Sequence, residues 1–190
     1  MTHDTDTGAG ALEDELLAIR CQLGEREAFD ALIDRWHEPL HHYARRVAGT
    51  DEGADDVIQD VWLRVLRGIA RLKDPSRLRP WLFGITRRVL MDRLRVKYSN
   101  VDVVPVEEDA LAAAGSEDDI EAELESMQEA LTRLPLIERE VLTLFYLREL
   151  TLAEVADIVD VPVGTVKSRL HRARRLLRTE FDRSVLKGDR

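Results

Sequence analysis

The segment TLAEVADIVDVPVGTVKSRLHRARRLLR, Thr151–Arg178, contains two helical patterns separated by a short break. Thr151 and Glu154 have the spacing of a capping box, in which each side chain accepts a hydrogen bond from the other residue's backbone N–H at a helix start. Pro162 follows the polar break at Asp160 and predicts the beginning of a second helix. Two short helices joined by a tight turn form a helix-turn-helix, whose second helix enters the major groove of DNA.

The second helix separates apolar from polar side chains. At 100° per residue, one face carries Val163, Val166, Leu170, Ala173 and Leu177. The candidate contacts to duplex DNA lie on the opposite face and its flanks, and they are Gly164, Thr165, Lys167, Ser168, His171, Arg172, Arg174 and Arg175. Among them, Ser168, His171 and Arg172 are the candidates for base contacts. A basic amphipathic helix can also simply cover a core, but the capped helix and turn before it favour DNA binding.

Charge is distributed in blocks along a chain whose formal net charge is -9. Residues 77–97 are predominantly basic, residues 102–125 contain acids and no base, and the segment from Pro162 onward is basic again. Two basic stretches separated by an acidic one indicate two surfaces that contact a polyanion. The linker between them has the opposite charge and would be repelled by the same polyanion. The alternative is that each basic stretch is an ordinary solvated helix face.

Composition argues against several classes of protein. No run approaches the roughly 18 apolar residues of a membrane span, and no signal-peptide pattern opens the sequence, so we expect a cytoplasmic protein without membrane insertion. The single cysteine, Cys21, cannot form an internal disulfide or a cysteine-based zinc site, and it is interpreted as a small apolar filler. No segment alternates apolar and polar residues as a half-buried strand does.

The periodicity predicts an all-α fold of two small helical domains joined by an acidic flexible linker, with the helix-turn-helix in the C-terminal one. Helical spacing covers residues 12–47, 54–72 and 80–96, and residues 50–53 are turn-like. The predicted divisions are a disordered N-terminus (1–11), a first domain (12–98), the linker (99–123), a second domain (124–185) and a tail (186–190). Fully extended, the 25 residues of the linker span roughly 80 Å.

His37-Glu-Pro-Leu-His41 matches a zinc-binding pattern, in which two histidines one helical turn apart ligate the metal and the glutamate acts as a base. That mechanism needs an intact helix, and Pro39 disfavours one. A metal hydrolase is therefore a weak alternative. We expect no metal and no cofactor.

Four motifs in order resemble a bacterial sigma factor of the extracytoplasmic-function (ECF) type, across residues 12–183. They are ADDVIQDVW at 54–62, WLFGITRRVLMDRLR at 81–95, LPLIEREVL at 134–142 and VGTVKSRLHRAR at 163–174. The resemblance implies an alternative sigma factor, which binds core RNA polymerase and directs transcription from promoters with minus-ten and minus-thirty-five elements. The rival interpretation is a stand-alone helix-turn-helix regulator, which binds duplex operators unaided and usually as a dimer.

The resemblance also assigns roles to residues. Asp56, Gln59 and Asp60 would dock on the clamp coiled coil of the polymerase β′ subunit, and all three lie on the side of their helix away from Val57, Val61 and Val65. The helix from Trp81 and the loop before it would melt and recognise the minus-ten element. The cations available to that strand are Arg77, Arg87, Arg88, Arg93, Arg95 and Lys97. Arg88 stands where many relatives have asparagine, which leaves the preferred base open, and Trp81 is interpreted as a core anchor.

The C-terminal domain would contact the flap of the β subunit and bind the minus-thirty-five element as duplex. The linker would thread the polymerase cleft. Promoter DNA and core polymerase are thus the implied partners, and the resemblance allows an anti-sigma protein as a third. Because the sequence offers no catalytic constellation, we do not expect an enzyme.

Overall fold

The computed structural model describes residues 4–48, 51–99, 127 and 130–188, and the regular secondary structure in these ranges is helical. The helices are α1 (Asp4–Gln22), α2 (Arg26–Ala48), α3 (Asp51–Gly68), α4 (Leu78–Ser99), α5 (Leu136–Leu142), α6 (Leu152–Val159) and α7 (Val163–Gly188). Two 3₁₀ turns, Ile69–Arg71 and Pro75–Arg77, connect α3 to α4, and a π-helical turn, Thr143–Leu147, continues α5. The predicted all-α fold is confirmed.

Helices α1–α4, which we call the N-terminal unit, enclose one apolar core. Phe83 of α4 is fully buried and packs edge-on against Tyr43 and Trp36 of α2, with ring centroids 5.4 and 6.1 Å apart. The predicted apolar stripe of α3 faces this core, since Val57, Val61 and Val65 are buried. Burial of the stripe fixes the rotation of α3, which leaves its opposite face in solvent.

Residues 130–188, which we call the C-terminal unit, contain the predicted helix-turn-helix. The backbone N–H of Glu154 donates to Thr151 Oγ1 at 3.2 Å, and the N–H of Thr151 donates to Glu154 Oε2 at 2.8 Å. Helix α6 ends at Val159 and is capped by Asp160, whose φ of 53° lies in the left-handed region that aspartate tolerates better than most residues. The capping box and the break that the sequence predicts are both confirmed.

Several boundaries differ from the sequence-based expectation. The first helix begins at Asp4, where we expected disorder through Ala11; Arg35 of α2 supports it by donating to the Gly10 carbonyl at 3.2 Å and to Asp14 Oδ1 at 2.6 Å. Helix α3 begins at Asp51, inside the predicted turn, and α4 begins two residues before Pro80. Helix α7 continues through residues 186–188 of the predicted tail. The predicted linker, apart from residue 99, lies outside the described residues.

Pro39 does not interrupt its helix, contrary to our expectation. Helix α2 runs continuously from Arg26 to Ala48. Proline removes one backbone hydrogen bond, but the buried side chains of Trp36, Leu40 and Tyr43 hold both halves of the helix against the core. Tertiary packing therefore overrides the local preference.

Thr151→Ala tests the capping box. We expect the free energy of unfolding to fall by about 1 kcal/mol, because the substitution leaves an N–H at the start of α6 without its acceptor. For a chain of this size the melting temperature should fall by about 2–4 °C, measured by circular dichroism. Thr179→Ala in α7 is the matched control; its hydroxyl donates to the Arg175 carbonyl of its own helix and caps no helix start, so no comparable loss is expected. Equal losses in both variants would contradict a capping role.

Candidate nucleic-acid and polymerase interfaces

The exposed side of α3 presents the three predicted polymerase-docking residues. Arg93 of α4 holds two of them: its Nη1 donates to Asp56 Oδ2 at 2.9 Å and its Nη2 to Asp60 Oδ2 at 2.7 Å. The hydrogen bond to Asp60 raises the pKa of the Arg93 guanidinium. Gln59 is exposed beside them. The two carboxylates are therefore held in place by a cation that we had assigned to minus-ten DNA.

Two leucines extend this face, and sequence reasoning missed them. Leu63 is 46% exposed and Leu66 is 57% exposed. Leu63 lies one helical turn beyond Gln59 and Asp60, and Leu66 follows it at i+3, so all of these side chains share one side of α3. The signal was present in the sequence, because both leucines lie off the valine stripe. We call the set Asp56, Gln59, Asp60, Leu63 and Leu66 the α3 face.

Four of the six predicted minus-ten cations, Arg77, Arg87, Arg93 and Arg95, lie beside acids of the protein. Arg87 Nε donates to Glu140 Oε1 of the C-terminal unit at 2.8 Å, and Arg77 forms an ion pair with Asp157 of α6. Arg88 is exposed, and its Nε donates to the Gly84 carbonyl at 3.0 Å. Arg93 lies against the α3 face, and Arg95 Nη1 is 3.7 Å from Asp92 Oδ1. The side chain of Lys97 lies outside the described residues.

A cavity of about 250 Å³ opens beside Arg88. Its lining residues are Arg64, Gly68, Arg71, Trp81, Ile85 and Arg88. Trp81 is half-buried, so its ring both packs on the core and forms a wall of the cavity. A side chain at Gly68 would meet that ring, since an ideal Cβ would be 3.2 Å from Trp81 Cζ2. Sequence reasoning missed Arg64 and Arg71, because they belong to the preceding helix and 3₁₀ turn.

Helix α7 has the two faces that the sequence predicts, with one exception. Val166, Leu170 and Ala173 are buried, whereas Val163 is 38% exposed. The candidate DNA contacts on the outer face are exposed except for half-buried Thr165, and they are Gly164, Lys167, Ser168, His171, Arg172, Arg174 and Arg175. The helical periodicity of 100° per residue therefore predicted the exposed face of this helix correctly.

Two of these arginines have partners within the C-terminal unit. Arg172 Nε is 3.3 Å from Glu138 Oε1, a carboxylate that is buried at the start of α5. Arg174 Nη1 donates to the Tyr146 hydroxyl at 3.3 Å. Ser168 Oγ donates to the Thr165 carbonyl. Arg172 is thus oriented by an acid of its own unit while its side chain stays largely accessible.

The histidines of the zinc-like pattern have protein partners. His37 Nδ1 accepts from Trp62 Nε1 at 3.3 Å, and His41 Nε2 lies 2.9 Å from Asp55 Oδ1. The two rings stack with centroids 6.2 Å apart. No group of three potential metal ligands occurs in the part of the chain that the structure describes. The zinc pattern needs an intact helix, and α2 is intact here. Two histidines on a continuous helix do not by themselves make a metal site.

The helix-turn-helix and the basic residues of α4 together are typical of a DNA-binding transcription protein. Within the described ranges, no helix is both long enough and apolar enough to cross a bilayer.

Comparison with known proteins specifies the family. The profile of Sigma-70 region 2 matches residues 32–99, and that of Sigma-70, region 4 matches residues 124–177. The ECF RNA polymerase sigma factor SigM of Mycobacterium tuberculosis is 36% identical over 160 residues, which cover 84% of this chain and 80% of SigM. SigW of Bacillus subtilis is 29% identical over 170 residues, covering 83% of this chain and 91% of SigW.

Two solved structures resemble most of the chain. CnrH in complex with the cytosolic domain of CnrY is 26% identical, with a TM-score of 0.67 and coverage of 89% of this chain and 97% of CnrH. RpoE in complex with the anti-sigma factor NepR, from Bartonella quintana, is 27% identical, with a TM-score of 0.66 and coverage of 85% and 98%. This chain belongs to the ECF family of RNA polymerase sigma factors. It is an alternative sigma factor that directs transcription initiation.

Proposed function

We propose that this sigma factor binds core RNA polymerase through the α3 face and promoter DNA through two separate basic surfaces, one in each unit. The observation that carries the proposal is that an acidic and apolar surface and a basic, hydrogen-bonding surface lie on different helices. Two fixed carboxylates and two exposed leucines occupy one side of α3, whereas the exposed side of α7 is basic and hydrogen-bonding. Surfaces of such different chemistry suit different partners.

The α3 face suits a protein partner better than DNA. Carboxylates repel phosphates, while exposed leucines beside charged groups are typical of a protein interface with an apolar centre and a polar rim. By the family resemblance, the partner is the clamp coiled coil of the β′ subunit. Arg93 then acts as a positioning residue, because it holds Asp56 and Asp60 in fixed orientations.

The cavity beside Arg88 suits an unstacked base of the minus-ten element. Single-strand capture combines cations along the backbone with an aromatic or planar surface for a base. Trp81 supplies an aromatic wall, and Arg64, Arg71 and Arg88 surround it with guanidinium groups. Arg77, Arg87, Arg95 and Lys97 would contact the sugar-phosphate backbone.

Helix α7 suits the duplex minus-thirty-five element. Ser168, His171 and Arg172 lie on its exposed side, three residues and one residue apart in sequence, where they can reach base edges. Lys167, Arg174 and Arg175 lie on the same exposed side, where they can contact phosphates, and exposed Gly164 permits close approach of the backbone. Thr165 contributes at the N-terminal end. The rest of the C-terminal unit would contact the β flap.

The remaining partners follow from the same role. The related chains CnrH and RpoE were solved with CnrY and with the anti-sigma factor NepR, so an anti-sigma protein is a reasonable third partner here.

The place of action is the cytoplasm, where promoters are transcribed. The protein acts as an initiation factor and not as a catalyst, and strand separation draws on binding energy within the polymerase complex.

Reconstitution tests this function. The full chain is mixed with core polymerase, and run-off transcription is measured on genomic fragments. We expect discrete transcripts that depend on the added chain. Failure to bind core polymerase, combined with tight binding of a duplex site by the chain alone, would favour the stand-alone regulator instead.

A further inference from the structure

A side chain of helix α1 is bonded to the chain that connects α3 to α4. Gln22, the last residue of α1, donates from its side-chain amide nitrogen to two backbone carbonyls. The nitrogen lies 3.1 Å from the Ile69 oxygen and 2.7 Å from the Leu72 oxygen. The acceptors are 47 and 50 residues away in sequence, so these are tertiary contacts. We call residues 69–72 the connecting turn.

The connecting turn changes the backbone from helical to extended. Ile69–Arg71 form a 3₁₀ turn, and Leu72 follows it with φ of -66° and ψ of 110°. The Leu72 N–H donates to the Ile69 carbonyl at 3.1 Å and closes the turn. A 3₁₀ turn has poorer hydrogen-bond geometry than an α-helix. The amide of Gln22 therefore adds a bond at each end of a segment whose internal bonding is weak.

The end of α1 fixes the position of Gln22. The Glu25 N–H donates to the Arg20 carbonyl at 3.2 Å, and the Gly24 N–H donates to the Cys21 carbonyl at 3.0 Å, which is the Schellman pattern of helix ends. Gly24 has a φ of 83°, a left-handed conformation that glycine adopts without strain. Gln22 is half-buried in this closed last turn. Its amide is thus a fixed point for the connecting turn.

The connecting turn forms an edge of the cavity beside Arg88. Arg71 lies between the two carbonyls that Gln22 binds, and its residue lines the cavity. Gly68, immediately before the turn, lies against the Trp81 ring on the same cavity. Arg71 is exposed, so burial does not hold its side chain. The place of its guanidinium group therefore depends on the backbone that carries it.

We propose that Gln22 is a positioning residue for minus-ten recognition, which holds the connecting turn so that Arg71 meets the base that enters the cavity. This role rests on the proposed function, in which the cavity accepts an unstacked base. A hydrogen bond weakens steeply when its donor is misaligned. A guanidinium group on a loosened turn would still attract DNA through its charge, but it would no longer distinguish one base from another.

The chemistry of the cavity indicates which bases it selects. The side chains of Arg64, Arg71, Arg88 and Trp81 offer N–H donors and no acceptor. Guanine and thymine present a carbonyl oxygen where adenine and cytosine present an amino group. We therefore expect a preference for a keto base, guanine or thymine, over an amino base.

Gln22→Met in the full chain, reconstituted with core polymerase, tests the role of Gln22. Methionine has a similar length and helix propensity but no N–H donor. The probe is a promoter identified by run-off transcription, with its non-template minus-ten strand unpaired and each position replaced in turn by the four bases. We expect the unmodified chain to prefer a keto base by about tenfold at one position. Gln22→Met should reduce this ratio to about threefold or less, with unchanged affinity for core polymerase.

Gln22→Lys is the rescuing variant. Its ammonium group can donate to both carbonyls, and a ratio of affinities for two probes cancels the general attraction of the added charge for DNA. It should therefore keep most of the base preference. Gln22→Glu has the shape of glutamine but places acceptors against the two carbonyls, so it should lose at least as much preference as Gln22→Met. If Gln22 only stabilised the fold, base preference would follow the melting temperatures of the variants and not the presence of a donor.

Trypsin reports on the connecting turn directly, because it cleaves after arginine. In the free chain we expect cleavage after Arg71 to be about tenfold faster in Gln22→Met, since a turn that opens more often is cut more often. Unchanged cleavage, or faster cleavage with unchanged base preference, would overturn the role of Gln22. Arg71→Ala separates this role from the proposed function. If Arg71→Ala loses the preference and Gln22→Met keeps it, only the role of Gln22 is wrong; if both keep it, the assignment of the cavity to a base is wrong as well.

Discussion

Asp60→Ala is expected to weaken the binding of this sigma factor to core RNA polymerase by about 30-fold, the ratio that corresponds to about 2 kcal/mol for a central interface residue. The substitution removes a carboxylate from the middle of the α3 face and one of the two acceptors of Arg93. Asp56 remains paired with Arg93 through a 2.9 Å hydrogen bond, so the helix should stay folded. Binding is measured by titrating core polymerase with the labelled full chain.

Asp55→Ala is the matched control for this experiment. Asp55 is the same residue type on the same helix, but its carboxylate bonds to His41 of α2 and its side chain is 78% exposed. We expect less than a threefold change in core affinity, as is usual for an exposed ion pair. Binding of isolated duplex DNA should be unaffected by either substitution. Equal losses for Asp55→Ala and Asp60→Ala would mean that net charge, and not the α3 face, determines docking.

The helices and their buried faces could be predicted from the sequence because both depend on local periodicity. The valines of α3 and the stripe of Val166, Leu170 and Ala173 in α7 recur at helical spacing, so their burial follows from a single rotation of each helix. The capping box of Thr151 and Glu154 is equally local. For the same reason, the exposed side of α7 was predicted correctly except for half-buried Thr165 and exposed Val163.

Contacts between distant segments could not be predicted in this way. Arg93 was grouped with its basic neighbours in α4, yet it binds two acids that precede it by 37 and 33 residues. Glu140 belongs to the motif at 134–142, where nothing in the sequence indicates a distant partner, yet burial by the other unit makes it the centre of a contact. Pro39 shows the same limitation, since only the packing of α2 explains why its helix continues. Charge sign is local information, but the identity of an ion's partner is set by the tertiary fold.

Arg172→Ala should produce the other large effect, on the duplex side. We expect the affinity for the minus-thirty-five element to fall by about 30-fold, because an arginine that donates two hydrogen bonds to one base contributes about 1–3 kcal/mol of discrimination. Affinity for core polymerase should not change, because Arg172 lies on the exposed side of α7 assigned to DNA, whereas docking is assigned to the α3 face and to the rest of the C-terminal unit. The measurement compares competition by the specific duplex and by an unrelated duplex, using the reconstituted polymerase complex and a promoter identified by run-off transcription.

Arg172→Lys separates base recognition from simple charge. Lysine keeps the cation and can still reach Glu138, but it lacks the planar fork that forms two parallel hydrogen bonds. It should therefore lose most of the specificity while keeping the salt dependence of binding, whereas Arg172→Ala should lose both and reduce the salt slope by about one. Thermal melting of both variants shows whether buried Glu138, left unpaired in Arg172→Ala, lowers stability enough to account for the loss. If Arg172→Ala weakens specific and unrelated duplexes equally, Arg172 contacts phosphate, and the base contacts of α7 fall to Ser168 and His171.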